Sequence, residues 1–160
     1  MNTVSEELYN EKVDLLTEDK LPKKTYIIGD EEITTYICPE IITYQGGILA
    51  GFFWVDESNQ YIIISEEIFN LKEEEQKCII SHEVGHMKDP YFERHYDESQ
   101  ESIEGYLLAE AWGDAYTIQI YGKELSIKVL KNILERDDIS SNENTKNLIE
   151  LRIQMIKEVL

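Results

Sequence analysis

The hydrophobic positions divide the chain into one helix, a strand-rich segment and a helical half. Residues 5–17 predict a short N-terminal helix that ends at Leu21-Pro22, because proline interrupts helices. β-Branched and aromatic residues dominate from Thr25 to Ser65, where they predict strands bounded by turn residues. The predicted strands cover residues 26–28, 33–37, 41–44, 48–55 and 61–64. Gly46-Gly47 and the segment 56–60 lie where hairpin loops are expected, so the sheet is predicted to be antiparallel or mixed.

The helical half is predicted to begin with a helix from about Leu71 to Met87. Asn70 and Glu73 have the spacing of a capping box that would open this helix, and Pro90 prevents its continuation. Residues 90–100 are polar and aromatic without a clear period, so they are predicted to form a connection.

Three further helices are predicted after this connection. They span about residues 101–121, 124–136 and 143–159. Gly122 is expected to end the first, and Ser140 with Glu143 has the spacing of a capping box before the last. The predicted apolar stripe of the last helix consists of Leu148, Leu151, Met155 and Val159. This order of elements predicts one α+β domain over residues 1–160, with a small sheet followed by a helical half.

The charge balance of the 160-residue chain is strongly acidic. Fifteen Lys and Arg residues stand against 33 Asp and Glu residues, which gives a formal net charge of −18 and leaves no basic stretch. Such a chain has little with which to replace the counterions of a nucleic-acid backbone or an anionic membrane surface. We therefore expect neither nucleic acid nor membrane as a partner, and the charge favours a cationic peptide or protein.

The two cysteines and the first residues bear on the compartment. Cys38 and Cys78 are far apart and lack C-x-x-C spacing, so we expect two buried thiols in a reducing compartment. Residues 1–7 lack the basic region and apolar run of a secretory leader. No stretch approaches the roughly 18 apolar residues of a transmembrane helix. The expected location is the cytoplasm.

The pentapeptide His82-Glu83-Val84-Gly85-His86 carries the clearest chemistry in the sequence. It contains two of the three histidines, four residues apart and hence on one helix face, with a carboxylate directly after the first. Two imidazoles at this spacing can hold one zinc ion (Zn²⁺), and Glu83 can then act on the water beside it. The alternative is a pair of helix histidines that contact only carboxylates. Gly85 costs the helix about 1 kcal/mol relative to alanine, which indicates a close approach of another backbone or of the far wall of the metal site. A glycine without a structural role is the alternative.

A zinc site needs a third protein ligand, and the helix predicted at 101–121 offers one. Glu110 and Asp114 are four residues apart and share a helix face with apolar residues. Carboxylates on a buried face need a positive partner, which zinc and its imidazoles would supply. An acidic pair on a partly exposed face is the alternative. The neighbouring small residues, which keep this helix slim enough for close packing, are Ala109, Ala111, Gly113 and Ala115.

Together, His82-Glu83-Val84-Gly85-His86 and Glu110-Ala111-Trp112-Gly113-Asp114 resemble the zinc peptidases of the gluzincin group. That group pairs H-E-x-x-H with a downstream E-x-x-x-D. The element order is also similar to that of small cytosolic peptidases of bacteria and phages, including the ImmA/IrrE type. The resemblance implies a zincin-like fold, zinc ligands His82, His86 and Glu110, and Glu83 as general base. It further implies that Asp114 accepts a hydrogen bond from one ligand imidazole.

The chemistry that follows is zinc-dependent hydrolysis of a protein or peptide substrate. Zinc would lower the pKa of its bound water to about 7, and Glu83 would pass the proton of that water to the leaving amine. An extra donor to the developing oxyanion is expected, and the candidates are His95, Tyr91, Tyr96 and Tyr106. The sequence does not select among them, and a surface-loop histidine or a packing tyrosine is the favoured alternative for each one. One of the strands between Ile48 and Ser65 is a candidate rim for an extended substrate, and Gly51-Phe52-Phe53-Trp54 is the apolar segment that could supply it. A plain core strand is the favoured alternative for that segment.

Two other functions remain open at this point. One is a catalytically silent zinc-binding module that recognises a partner through the same cleft, although Glu83 favours the enzyme. The other is a metal-free interaction domain whose acidic surface does the binding. The sequence leaves the oligomeric state and the cleavage preference open.

Overall fold

The computed structural model describes residues 3–160, and within that range the fold class is α+β, as predicted. Eight α-helices and a four-stranded mixed sheet make up the described chain. Two compact units are distinguished, one extending to Glu83 and one formed by Val84–Leu160. The division falls inside a continuous helix, α3 (Glu73–Met87).

The first unit is built on the sheet. Its strands are β1 (Lys23–Ile28), β2 (Glu31–Ile37), β3 (Ala50–Asp56) and β4 (Asn59–Ile64). The strand order is β1-β2-β4-β3, which places β3 at an edge. The pairs β1–β2 and β3–β4 are antiparallel hairpins, whereas β2 and β4 run parallel. The sheet is therefore mixed.

Helix α1 (Glu6–Thr17) precedes the sheet, as predicted, and Ser5 caps it by accepting a hydrogen bond from the Leu8 amide at 3.1 Å. Leu16 of this helix joins the core of the first unit. The other buried members of this core are Leu21, Cys38, Ile41, Ile42, Phe53 and Ile63.

The predicted strand at residues 41–44 is wrong, because Pro39–Tyr44 forms helix α2. Pro39 lies at the first position of this helix, where its fixed φ favours a helical start. Ile41 and Ile42 are both buried in the core. Adjacent residues of a strand point to opposite faces, whereas a short helix can direct both side chains into the same core.

The start of α3 also differs from the prediction. Glu66–Asn70 forms a 3-10 turn, and α3 begins only at Glu73, so Asn70 is not its cap. Three glutamates, Glu73 to Glu75, occupy the first turn instead, where negative charge is favourable. Within the first unit, the Tyr26 hydroxyl and Gln76 Oε1 are 2.7 Å apart and connect the first turns of α3 to the sheet.

The second unit consists of helices. After the end of α3 it contains α4 (Phe92–Ser99), α5 (Ile103–Tyr121), α6 (Lys123–Leu134), α7 (Asp137–Ser140) and α8 (Glu143–Glu158). The connection predicted at 90–100 is wrong, because most of it forms α4. Phe92 and His95 are half-buried there, so a short amphipathic helix packs where the polar composition suggested a loop. No helix among residues 3–160 is long and apolar enough to cross a membrane.

Helix α8 corrects two predictions. Its cap is Asn142, which accepts a hydrogen bond from the Thr145 amide at 3.2 Å, whereas Ser140 belongs to α7. The buried stripe consists of Ile149, Ile153 and Ile156 rather than the predicted positions. Val159, predicted to be in the stripe, is 74% exposed. The buried face of α8 is rotated by about one residue relative to the predicted one. Arg152 therefore lies on the buried side, between Ile149 and Ile153.

Candidate metal centre

Helix α3 holds the two predicted imidazole ligands. His82 and His86 are 9% and 8% exposed and lie one turn apart. Their relative position follows from the helix itself, since α3 is continuous across the division between the two units. Glu83 follows His82 directly and is half-buried.

Helix α5 brings Glu110 to this pair. Glu110 Oε1 lies 3.3 Å from His86 Nε2. Ligand atoms of His82, His86 and Glu110 all lie within 4.8 Å of one another. Two ligands of a tetrahedral zinc ion, each 2.0–2.2 Å from the metal, are about 3.4 Å apart. The His86–Glu110 spacing therefore fits a shared divalent ion, and a modest side-chain adjustment would bring in the third ligand.

The donor set restricts the kind of metal. Two imidazoles and one carboxylate suit zinc, copper, iron or nickel better than magnesium or calcium, which prefer oxygen ligands alone. The three residues brought together are those expected from the sequence. They indicate a possible metal-binding triad, and the identity of the metal is a proposal.

Gly85 has the close backbone contact that its position predicted. A Cβ atom built on Gly85 would lie 2.7 Å from Gly113 Cα and 2.8 Å from the Trp112 carbonyl oxygen. Both neighbours are backbone atoms of α5. The missing side chain thus lets α3 approach α5 closely enough for His86 to reach Glu110, since Gly85 and Gly113 are each within three residues of those side chains.

Arg152 is the residue that sequence reasoning missed. Its Nη2 and Nε donate to Asp114 Oδ1 and Oδ2 at 2.8 and 3.2 Å, a two-pronged pairing. Its Nη1 forms an ion pair with Glu110 Oε2 at 3.4 Å. The expectation that a metal supplies the positive partner of the two acids is therefore incomplete, because Arg152 already meets both. The sequence signal for a buried arginine was its position between Ile149 and Ile153, which form the buried face of α8.

The contacts of Asp114 bear on its predicted role. Asp114 is buried on α5, and the structure places the guanidinium of Arg152 against both of its oxygens. Its predicted hydrogen bond to a ligand imidazole stays a prediction.

Burial and neighbouring charges shift the pKa values of Arg152 and Tyr106 in this cluster. Burial opposes the charge of Arg152, but the neighbouring carboxylates of Asp114 and Glu110 outweigh it and raise the pKa of the guanidinium. Burial raises the pKa of Tyr106 to about 12, with Glu110 and Asp114 adding to the increase and Arg152 opposing it. Tyr106 therefore remains a phenol near neutral pH and lies among the charges of the candidate centre.

Of the other three predicted donors, His95 and Tyr96 lie in α4 and Tyr91 directly precedes it. His95 Nδ1 is 2.5 Å from Asp89 Oδ2, and the His95 ring lies 5.9 Å from that of Trp112. Asp89, which sequence reasoning did not single out, also accepts a hydrogen bond from the Tyr91 amide at 2.8 Å. The side chains of Tyr91 and Tyr96 are exposed. These contacts account for the placement of His95 without a metal.

Comparison with known proteins gives no relative from which a function can be transferred. The chain matches no protein-family model, no curated protein and no solved structure.

Proposed function

We propose that this protein is a zinc-dependent metallopeptidase with a zincin-like fold, acting on a protein or peptide substrate. The observation that carries the proposal is the grouping of His82, His86 and Glu110 within 4.8 Å. The ligands come from two helices that approach each other through glycines. Glu83 follows the first histidine, the position at which such a site needs a base.

Zinc bound by these three residues would supply the Lewis acidity that makes water a competent nucleophile near neutral pH. In this proposal the half-buried carboxylate of Glu83 accepts the proton of the attacking water and delivers it to the leaving amine. The intermediate exposure of Glu83 supports this role, because a fully buried carboxylate would need a further partner.

Tyr106 is our choice among the four candidate oxyanion donors. The side chain interacts with Arg152 and lies within electrostatic reach of Glu110. It also keeps its proton near neutral pH, as a donor must. The net charge of −18 favours substrates with basic segments. The buried thiols of Cys38 and Cys78 favour a reducing compartment such as the cytoplasm.

The first test is the metal content of the purified chain, with His82→Ala and Glu110→Gln as ligand variants. We expect close to one zinc per chain in the wild type and strongly reduced zinc in both variants. His95→Gln is the matched control, because His95 pairs with Asp89 and is not one of the three candidate ligands. A wild-type chain that binds no zinc, even after zinc is added back, contradicts the proposal.

The second test separates catalysis from binding. Glu83→Gln should retain its zinc and lose hydrolysis of a library of basic, unstructured peptides followed by mass spectrometry. The catalytically silent module is the alternative, and it predicts that zinc binds while wild type and Glu83→Gln leave all peptides uncut.

A further inference from the structure

Arg152 of α8 contacts two acidic residues of α5, Glu110 and Asp114. It lies on α8 beside the buried residue Ile153, and 14% of its side chain is exposed. Two of its nitrogens hold Asp114, and Nη1 lies 3.4 Å from Glu110 Oε2. A planar guanidinium pairs with both oxygens of one carboxylate and still reaches a second one, which a lysine ammonium does less well.

The two oxygens of Glu110 therefore have different neighbours. Oε2 faces the Arg152 guanidinium at 3.4 Å, whereas Oε1 faces His86 Nε2 at 3.3 Å. We infer that Arg152 is a positioning residue that makes Glu110 a one-oxygen metal ligand, by engaging Oε2 and directing Oε1 toward the metal. This inference rests on the proposed metal centre and specifies how its third ligand binds.

The coordination mode matters for the proposed chemistry. A catalytic zinc site has three protein ligand atoms and keeps its fourth position for water. A carboxylate that binds through both oxygens adds a fourth protein atom and competes for that position. By holding Oε2, Arg152 favours a zinc ion bound by three protein atoms. The pairing of Arg152 with Asp114 keeps the guanidinium in the position needed to hold Oε2.

A purely structural ion pair is the alternative to a positioning role. Both explanations predict that removing Arg152 lowers stability, since the buried carboxylate of Asp114 and the half-buried one of Glu110 would lose their partner. Metal affinity alone does not separate them either. Loss of positioning weakens binding by about 10–100-fold, whereas removal of a nearby positive charge strengthens it. The coordination number of the metal is the readout that only the positioning role changes.

The test begins with the wild-type chain loaded with Zn²⁺ or Co²⁺ alone. X-ray absorption should show a four-coordinate Zn²⁺ ion, and Co²⁺ should give the strong visible bands of a tetrahedral site. A five-coordinate ion bound by both Glu110 oxygens would overturn the inference and leave the proposed function standing. A chain that binds neither metal would overturn both.

The variants then test the cause. Arg152→Met should release Oε2, raise the coordination number to five and weaken the Co²⁺ bands. Arg152→Lys keeps a cation near Oε2 and should shift the spectrum less. Arg136→Met is the matched control, since Arg136 pairs with Asp138 at 3.2 Å on the same unit and should leave the spectrum unchanged.

If Arg152→Met does not fold, the double variant with Asp114→Asn removes the unpaired buried charge and carries the same prediction. Wild-type spectra in Arg152→Lys and in the folded methionine variant would contradict the positioning role.

Discussion

Gly85→Ala is the sharpest test of how the candidate centre is assembled. The added methyl group would lie 2.7 Å from Gly113 Cα, 2.8 Å from the Trp112 carbonyl oxygen and 3.0 Å from Tyr116 Cβ. Carbon atoms in contact prefer about 3.5–4.0 Å, so the overlap with Gly113 is about 0.8 Å or more. Backbone atoms cannot rotate away from it, and the helices α3 and α5 must therefore separate.

The expected cost follows from two opposing contributions. Overpacking of a tight contact costs about 1–3 kcal/mol, and a backbone neighbour places this site near the upper value. Alanine favours the helix over glycine by about 1 kcal/mol, which offsets part of that cost. We expect Gly85→Ala to reduce the free energy of unfolding by about 2 kcal/mol.

The same displacement acts on metal binding. His86 follows Gly85 directly and lies 3.3 Å from Glu110, so separating the helices by nearly 1 Å pulls two ligands apart. Perturbations of the supporting structure typically weaken metal binding by about 10–100-fold. We expect the zinc Kd of the variant to rise by at least about tenfold.

Urea unfolding and zinc titration measure the two effects, and Gly51→Ala is the matched control. A Cβ on Gly51 would meet only Gln45 Oε1, at 4.0 Å, so alanine fits there without strain. Because glycine weakens a strand, this control should be neutral or more stable by up to about 1 kcal/mol. A Gly85→Ala chain that is as stable as the wild type and binds zinc equally well would refute the reasoning.

Two further predictions concern single side chains. Burial raises the pKa of Tyr106 from its ordinary value of 10 to about 12. The folded state therefore favours the neutral phenol, and this contribution to stability is complete below pH 10 and is lost as the pH rises toward 12. Tyr106→Phe should therefore lose less stability than the wild type over that range and should lack the tyrosinate absorbance step near pH 12; an unchanged titration would contradict the assignment. Asn142→Ala should lower the free energy of unfolding by about 1 kcal/mol in urea, because it removes the cap of α8. Ser140→Ala should change that free energy by less than about 0.5 kcal/mol. A larger loss of stability from Ser140→Ala than from Asn142→Ala would instead support the capping box predicted from sequence.

Prediction from sequence succeeded where the information is local. The α+β class, the helix bearing His82 and His86, and the end of α5 at Gly122 follow from periodicity and from residues that start or stop helices. Gly85 is a similar case, since a glycine inside a helix indicates a close neighbour.

Prediction failed for short segments whose conformation depends on how their side chains pack in the core. Ile41 to Tyr44 have strand-forming side chains, yet the burial of both Ile41 and Ile42 favours a helix. Residues 92–99 form α4 although their composition resembles a loop. The stripe of α8 was misplaced by one residue because apolar side chains occur on both sides of it.

The sequence by itself determined the donor types of the candidate centre and their spacing on α3, because an α-helix fixes the relation between residues four apart. Only the tertiary structure decided which cation meets Glu110 and Asp114. Arg152 lies 38 residues after Asp114, and nothing in local periodicity relates two helices at that separation. The packing of α8 against α5 places Arg152 beside Glu110 and Asp114. This packing buries the face of α8 formed by Ile149, Ile153 and Ile156, and Arg152 lies on the same face.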